Sequence, residues 1–167
     1  VGHARGAVFG STLAEILAAA GYEVEREYYF NDAGSQIDRF NQSLYARYLQ
    51  QSGRDAQLPA DGYQGEYMVE LAREIAEEAG DKYLSMPEED AVAEIGEVGL
   101  KRMTDVARAD MRDLRVSYDN WFTERSLYEN GQFDRAMALL RESGYLTERD
   151  GATWFRSSAL GDEDDKV

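Results

Sequence analysis

The chain has 167 residues, 43% hydrophobic and 31% charged, and a formal net charge of −15 at pH 7. Such proportions are typical of a globular protein with an apolar core, and the length suits one domain or two joined subdomains. Cysteine is absent and the single histidine is His3, which excludes disulfides, thiolate metal sites and multi-histidine metal sites. Because nucleic-acid affinity depends largely on Lys and Arg neutralising phosphates, the charge by itself argues against a nucleic-acid-binding surface.

No apolar run approaches the roughly 20 residues that a membrane-spanning helix needs. The first residues also lack the basic and apolar pattern of a secretory leader. We therefore expect a cytoplasmic protein with no membrane partner. The chain begins in a Gly-rich segment at Val1 and ends after an acidic run, which we interpret as an internal segment of a longer protein.

The first half of the chain changes from a helical to an extended pattern and back. Residues 4–20 have the apolar spacing of an amphipathic helix that Gly21 closes, with the stripe Leu13, Ile16, Leu17 and Ala20. Residues 23–30 are rich in β-branched and aromatic side chains and predict a strand. A turn at residues 31–34, where Asn and Asp suit helix capping, leads to a helix over residues 35–50.

After a loop at residues 52–64, the spacing predicts two more helices. The first ends at Gly80 and buries Met68, Leu71, Ala72, Ile75 and Ala79. The second begins behind Pro87 with acidic residues in its first turn, and its buried face continues through Met103, Ala107, Met111 and Leu114. A strand at 116–123, a helix ending at Gly144 and a hairpin over 145–157 turning at Arg149-Asp150-Gly151 complete the chain.

This order of elements predicts an α/β fold that is rich in helix. A helix that precedes a strand in this way fits a βαβ crossover. Because connections between strands of one sheet are usually short, about 60 helical residues between the two strands predict an insertion.

The opening segment Val1-Gly-His-Ala-Arg-Gly-Ala7 stands where a strand would lead into a helix. Gly2 permits close approach of a ligand to the backbone, and unpaired N–H groups at a helix start attract phosphate. His3 and Arg5 could add a donor and a charge. The alternative is a capped helix with an exposed histidine.

Two further segments place polar side chains after predicted strands. In open α/β sheets ligands bind at the carboxyl ends of strands, where Asn31, Asp32 and Gln36 could hold an amino group or hydroxyls. Turn and capping chemistry explains Asn31 and Asp32 equally well. In Trp121-Phe-Thr-Glu-Arg-Ser-Leu127 the carboxylate of Glu124 among aromatic side chains suits a cationic ligand. Pairing of Glu124 with Arg125 or another base is the alternative there.

In this order the segments resemble arginyl-tRNA synthetase, a class I aminoacyl-tRNA synthetase. Val1–Ala7 is similar to the arginyl form of the "HIGH" signature, whose first histidine would precede Val1. Residues 23–37 resemble the family's second strand and turn, and residues 118–128 its third strand. Residues 151–156 and 161–167 are similar to its connective hairpin. The resemblance runs essentially end to end and is least distinctive over residues 50–100.

The resemblance implies a partial class I synthetase Rossmann-type nucleotide-binding fold with a helical insertion and a connective hairpin. Residues 1–37 would begin the catalytic fold, 38–115 would form the insertion, 116–128 the third strand, and 129–167 the start of the connective insertion. The implied activity is ATP-dependent activation of arginine and its transfer to the 2′-hydroxyl of the tRNA terminal adenosine. The segment alone is expected to be inactive.

The resemblance also implies the site. His3 would stabilise the phosphates as pyrophosphate leaves, and Gly2 and Val1 would adjoin ATP, which is a substrate accompanied by Mg²⁺. Glu124 would face the arginine guanidinium, and the whole set assigned to arginine is Tyr28, Asn31, Asp32, Gln36, Glu124 and Ser126. Some members have an asparagine at the position of Tyr28, so either Tyr28 or Asn31 makes that contact. We expect no metal site on the protein and no protein-bound cofactor.

The expected partners are arginine, ATP and arginine tRNA for the full-length parent. The segment itself would expose strand edges through which copies could associate. An alternative from another functional class is an acidic helical module that binds a basic protein, which the charge of −15 favours.

Overall fold

A computed structural model describes residues 2–167, with side chains from Ala4 onward. Within these residues the chain is α/β and rich in helix, as the sequence predicts, and its strands form two-stranded sheets. The chain divides into two compact units, Val1–Phe122 and Thr123–Val167. In the part of the chain that the structure describes, no helix is long and apolar enough to cross a membrane.

The helices and strands follow one another in the predicted order, with additions. The chain order is α1 (Gly2–Ala19), β1 (Glu27–Phe30), α2 (Ser35–Gln51), α3 (Glu66–Ala79), α4 (Glu88–Asp113), β2 (Asn120–Thr123), α5 (Arg125–Glu129), α6 (Gln132–Glu142), β3 (Leu146–Arg149) and β4 (Ala152–Phe155). One-turn 3₁₀ helices lie at Lys82–Leu84 and Ser157–Leu160. The sequence patterns did not predict these two turns or α5.

The core of the first unit lies among α2, α3 and α4. Of the residues predicted to face inward on α3, all are buried there except Ala79, which is half-buried. The fully buried side chains of this core include Leu44, Tyr48, Met68, Ile75 and Ile95. Burial of such side chains contributes about 1.5–3 kcal/mol each relative to exposure. The helical block over residues 35–113 therefore has an apolar core of its own.

Two glycines on α4 allow it to lie close to α2. A Cβ atom at Gly96 would lie 2.2 Å from the side chain of Asn41, and one at Gly99 would lie 2.2 Å from Leu44 Cδ2. Separations below 3.0 Å do not occur without movement of the neighbour. The absence of a side chain at these two positions thus sets the distance between the helices.

Several helices end in the Schellman motif. After α1, the N–H of Tyr22 donates to Leu17 and that of Gly21 to Ala18, with Gly21 in the left-handed conformation at φ 90°. The same pattern follows α6, where the N–H of Tyr145 donates to Leu140 behind Gly144. The predicted helix ends at Gly21 and Gly144 are confirmed, because glycine adopts this conformation without steric cost.

The two predicted strands of the first unit are shorter than expected. Only Glu27–Phe30 and Asn120–Thr123 are extended and paired. Val116 is not part of a strand, because its N–H closes α4 by donating to Met111, with Arg115 at φ 59°. Strand β2 begins after this cap, at Asn120.

Two expectations about helix surfaces are also wrong. In α1 the predicted inner stripe is exposed, with Leu13 at 46%, Ile16 at 60% and Leu17 at 36%, although Ala14 beside it is buried. Near the end of α4, Leu114 is 41% exposed rather than buried. Amphipathic spacing gives the helix correctly in both places, but burial requires a second element against the stripe.

The expected capping of α2 by Asn31 or Asp32 is wrong as well. The N-cap residue is Gly34, at φ 81°, and the cap has no side-chain hydrogen bond. The backbone carbonyl of Gly34 instead accepts the N–H of Ile37 at 3.0 Å. Side chains of the turn therefore take no part in capping α2.

The second unit contains the predicted hairpin. Strands β3 and β4 pair antiparallel, with Leu146 opposite Phe155 and Arg149 opposite Ala152. The turn residues Asp150 and Gly151 both have positive φ, 53° and 76°, as a tight two-residue hairpin turn requires. Lys166 then forms an isolated bridge with Phe155, which ties the end of the chain to β4.

Candidate functional site

Four predicted site residues lie on one strand–turn–helix segment of the first unit. Tyr28 is half-buried on β1, Asn31 and Asp32 follow the end of that strand, and Gln36 lies in the first turn of α2. Asn31 and Gln36 are exposed, whereas Asp32 is 8% exposed. The turn thus combines a buried carboxyl group with two exposed amide side chains.

The ring of Tyr28 belongs to an aromatic cluster, Tyr28–Tyr118–Trp121. It stacks on Trp121 with centroids 4.6 Å apart and planes 25° apart, and it meets Tyr118 edge to face at 5.2 Å. Tyr118 and Trp121 also meet edge to face, at 5.4 Å. Because each ring touches the other two, the position of Tyr28 depends on both partners.

Helix α4 supplies two further contacts to this cluster. The guanidinium carbon of Arg108 lies 4.8 Å from the centre of the Trp121 ring. Three residues later, Met111 Sδ accepts a long hydrogen bond of 4.0 Å from the Tyr118 hydroxyl. Burial, and to a smaller extent the neighbouring Tyr28, raise the pKa of Tyr118, so this hydroxyl remains protonated at neutral pH.

Arg26 joins three elements at the start of the same sheet. Its guanidinium lies 2.6 Å from Glu15 on α1, and its backbone N–H donates to the carboxylate of Asp119 at 2.8 Å. The carbonyl of Arg26 accepts the N–H groups of Asp119 and Asn120. These contacts fix the register of α1 and β2 against β1, just before the site segment begins.

A cavity of about 630 Å³ lies between α1 and β1. Its volume falls within the roughly 300–1,000 Å³ that is common for ligand pockets. Mostly apolar residues line it, among them Gly10, Leu13, Ala14, Leu17, Tyr28 and Tyr118. Two rings of the aromatic cluster, Tyr28 and Tyr118, thus line one wall of the cavity, and one side of α1 lines another.

Two other predicted arginine-binding residues belong to the second unit. Glu124 is half-buried at the N-cap of α5 and makes no side-chain cap hydrogen bond. The hydroxyl of Ser126 donates to the carbonyl of Thr123 at 2.6 Å. Ser126 can therefore only accept a hydrogen bond from a ligand, and a cationic ligand is a suitable donor.

The predicted ATP segment lies largely outside the described residues. Gly2 begins α1, but Val1 and the side chain of His3 are not among the groups that the structure describes. Among the residues that it does describe, no group of three or more His, Asp or Glu side chains could hold a metal ion.

Sequence patterns missed the contribution of Tyr118, Trp121 and Arg108 to the site. A strand over 116–123 would have placed Tyr118 and Trp121 on opposite faces. Since the strand begins only at Asn120, both rings can reach Tyr28. The helical spacing of Arg108 and Met111 was the available signal, because residues three apart share one face of a helix.

Curated proteins with similar sequences share one name. The chain is 54% identical over 167 residues to the arginine–tRNA ligase of Dehalococcoides mccartyi and 50% identical to that of Geobacillus kaustophilus. Both alignments cover 100% of the chain. The chain is homologous to a segment of arginine–tRNA ligases.

A solved structure is similar in fold. A crystal structure bearing the name arginyl-tRNA synthetase, from Campylobacter jejuni, superposes with a TM-score of 0.81 at 33% identity over 99% of the chain and 36% of that structure. The chain spans about 30% of the length of its curated arginine–tRNA ligase relatives. No protein-family model matches it.

Proposed function

We propose that this chain is part of an arginine–tRNA ligase that activates arginine with ATP and transfers it to the 2′-hydroxyl of the tRNA terminal adenosine. The observation that carries the proposal is the 54% identity to an arginine–tRNA ligase over every residue of the chain. Identity that extends through the helical block as well as the site segments supports the whole chain as one homologous segment.

The fold that we propose is part of a class I Rossmann-type domain. Residues 1–37 would form the first part of the catalytic fold and 116–128 its third strand, 38–115 would be a helical insertion, and 129–167 would begin a connective insertion. Two observations support this division: the independent core of α2, α3 and α4, and the exposed apolar side chains of α1. A helix that packs on a larger sheet would bury such a stripe.

We propose that ATP binds at the start of α1, next to Val1, Gly2 and His3. A helix N-terminus presents unpaired N–H groups to phosphate, and His3 would donate to the phosphates as pyrophosphate departs. Mg²⁺ would accompany ATP as part of the substrate. The arginine carboxylate attacks the α-phosphate, the bond to pyrophosphate breaks, and arginyl adenylate forms, so this chain contributes positioning and charge rather than a nucleophile.

Arginine would bind through Glu124 and the strand–turn–helix segment. Glu124 is half-buried, and a carboxylate in such a position forms strong paired hydrogen bonds with a guanidinium. Tyr28 or Asn31, with Asp32 and Gln36, would hold the α-amino group, and Ser126 would accept a hydrogen bond. The place of these residues at the end of β1 supports this role, because ligands bind at the carboxyl ends of strands in open α/β sheets.

The segment itself gives tRNA no electrostatic attraction, because its net charge is −15. We therefore expect tRNA to bind mainly to other parts of the full-length protein. We expect that protein to be located in the cytoplasm. An acidic module that binds a basic protein would account for the charge. It would not account for 54% identity to an arginine–tRNA ligase.

The test is aminoacylation by the full-length gene product. We expect arginine-dependent formation of arginyl-tRNA that requires ATP. Glu124→Gln should raise the KM for arginine strongly and leave the KM for ATP nearly unchanged, because Gln cannot neutralise the guanidinium. Glu129→Gln, which makes the same chemical change at an exposed position of α5, is the matched control.

Failure of the wild-type protein to form arginyl-tRNA would overturn the proposed activity. Equal effects of Glu124→Gln on both substrates would instead assign Glu124 a structural role. The 167-residue chain alone should be inactive and should associate through the edges of its short sheets, as sedimentation would show. Aminoacylation by that chain would contradict its assignment as one part of the site.

A further inference from the structure

Helix α4 connects the helical core to the aromatic cluster. Near its start, Ala91 and Ile95 are fully buried against α2 and α3. Near its end, Arg108 and Met111 contact Trp121 and Tyr118. With 26 residues the helix is about 39 Å long, so one element carries both sets of contacts.

The contact between Arg108 and Trp121 is a cation–π interaction, which can hold the orientation of the indole ring although Arg108 itself is exposed. The guanidinium lies 4.8 Å from the ring centre, within the roughly 6 Å reach of a cation–π interaction. Arg108 is exposed and Trp121 is half-buried. Removal of the cation therefore leaves no cavity in the core, and its effect should fall on the orientation of the ring.

We propose that Arg108 is a positioning residue for the arginine substrate, acting through Trp121 on Tyr28. This inference rests on the proposed function. Trp121 stacks on Tyr28 at 4.6 Å, so a shift of the indole moves the tyrosine that stands at the arginine-binding turn. The helical block thereby contributes to substrate affinity although its own core lies outside the site.

The consequence is specific to one substrate. Tyr28 and the turn that follows it are assigned to arginine, whereas ATP is assigned to the start of α1. A change at Arg108 should therefore alter the KM for arginine while leaving kcat and the KM for ATP in place. A residue that only stabilised the fold would alter the amount of active enzyme, and hence kcat, without separating the two substrates.

The experiment compares Arg108→Gln, Arg108→Lys and Arg112→Gln in the full-length gene product. Arg112 lies one turn further along α4, is exposed, and gives the same loss of charge. We expect Arg108→Gln to raise the KM for arginine about fivefold, the factor that corresponds to a typical cation–π contact. Arg108→Lys should recover most of the affinity because it keeps a cation over the ring, and Arg112→Gln should match the wild type.

Two results would overturn the inference while the proposed function stands. One is an Arg108→Gln enzyme with the same KM for arginine as Arg112→Gln. The other is a change in the KM values for arginine and ATP by the same factor. If the wild-type protein formed no arginyl-tRNA at all, the proposed function would fail first, and the inference with it.

Discussion

The apolar faces of α1 and α3 are built on the same residue spacing, but their surroundings differ. On α3, Met68, Leu71 and Ile75 are 0–6% exposed, covered by α2 and α4. On α1, Leu13 and Ile16 remain 46% and 60% exposed, and a cavity of about 630 Å³ adjoins one side of the helix. The spacing encodes a helix with one apolar side, whereas burial depends on the other elements that pack against that side.

The side chains of the α2–α3–α4 core are buried, whereas the apolar face of α1 is largely exposed. Contacts in the α2–α3–α4 core should contribute strongly to the free energy of unfolding of the 167-residue chain. Equivalent side chains on α1 should contribute little in that chain. The predictions below test this difference, from the largest expected effect to the smallest.

Two leucines give the most direct test. Leu44→Ala should lower the free energy of unfolding by about 2–5 kcal/mol, because the side chain is 0% exposed and its removal leaves a cavity. Leu13→Ala should change it by less than about 0.5 kcal/mol, since Leu13 is 46% exposed. Urea denaturation of both variants, followed by circular dichroism, measures the difference. Similar losses for the two would contradict the contrast between the helices.

Two helical glycines extend the test to backbone separation. Gly99→Ala should lower the free energy of unfolding by about 1–3 kcal/mol, because the new Cβ would lie 2.2 Å from Leu44 Cδ2 and must displace it. Gly10→Ala in α1 should instead raise it by about 0.5–1 kcal/mol, since nothing lies within 4 Å of its Cβ position and alanine favours helix. Opposite signs for the two variants in thermal or urea denaturation are the expected result.

The core should also respond to alkaline pH through Tyr48. Its hydroxyl donates to the carbonyl of Gly80 at 2.5 Å, and burial, followed by the negative charge of Asp81, raises its pKa above the ordinary value of 10.0. Because the folded-state pKa is the higher one, this stabilisation is complete below the unfolded pKa and is lost as pH rises through the folded pKa.

Tyr48→Phe should lower the free energy of unfolding by about 0.5–1.5 kcal/mol at neutral pH, through loss of that hydrogen bond. The free energy of unfolding of this variant should also decrease less steeply above pH 10 than that of the wild type. Tyr22→Phe is the control, because Tyr22 is 66% exposed. Urea denaturation across the alkaline range measures both effects, and an unchanged slope for Tyr48→Phe would contradict the assignment.

The smallest expected effect belongs to the second unit. Asp165 accepts hydrogen bonds from the Ser158 hydroxyl at 2.5 Å and from Arg149 at 2.7 Å, and the Ser158 contact is the main cause of its lowered pKa. Stabilisation from a lowered carboxyl pKa is present above the unfolded pKa and is lost as pH falls through the folded pKa. Asp165→Asn should therefore speed amide hydrogen exchange in β3 and β4 near neutral pH, and Asp162→Asn should not. Equal exchange in the two variants would exclude this role for Asp165.

Many helix ends and turns could be predicted because they depend on the residues at those positions. Gly21, Gly80 and Gly144 end helices where the sequence places them, and Asp150-Gly151 forms the hairpin turn. The strand lengths could not be predicted, since the non-glycine residue Arg115 adopts a left-handed conformation and extends the α4 cap to Val116. That choice depends on tertiary packing rather than on propensity.

Candidate site residues that are close together in the sequence could be grouped before the structure was known. Tyr28, Asn31, Asp32 and Gln36 were found together because one strand end and one turn contain them all. Arg108 was not found, because it is about 80 residues from Tyr28 in sequence and reaches it only through a third residue, Trp121. Pattern arguments treat segments one at a time and do not reveal such an indirect contact.

The chain has two tryptophans, Trp121 and Trp154, and they fall in different compact units. The fluorescence of each tryptophan can therefore report on the unfolding of its own unit. Trp154→Phe leaves emission from the aromatic cluster alone, and Trp121→Phe leaves emission from the hairpin alone. Unfolding curves from the two single-tryptophan proteins would coincide if the units melt together and separate if they melt in turn. The placement of two side chains thus makes the cooperativity of the whole chain measurable without any added probe.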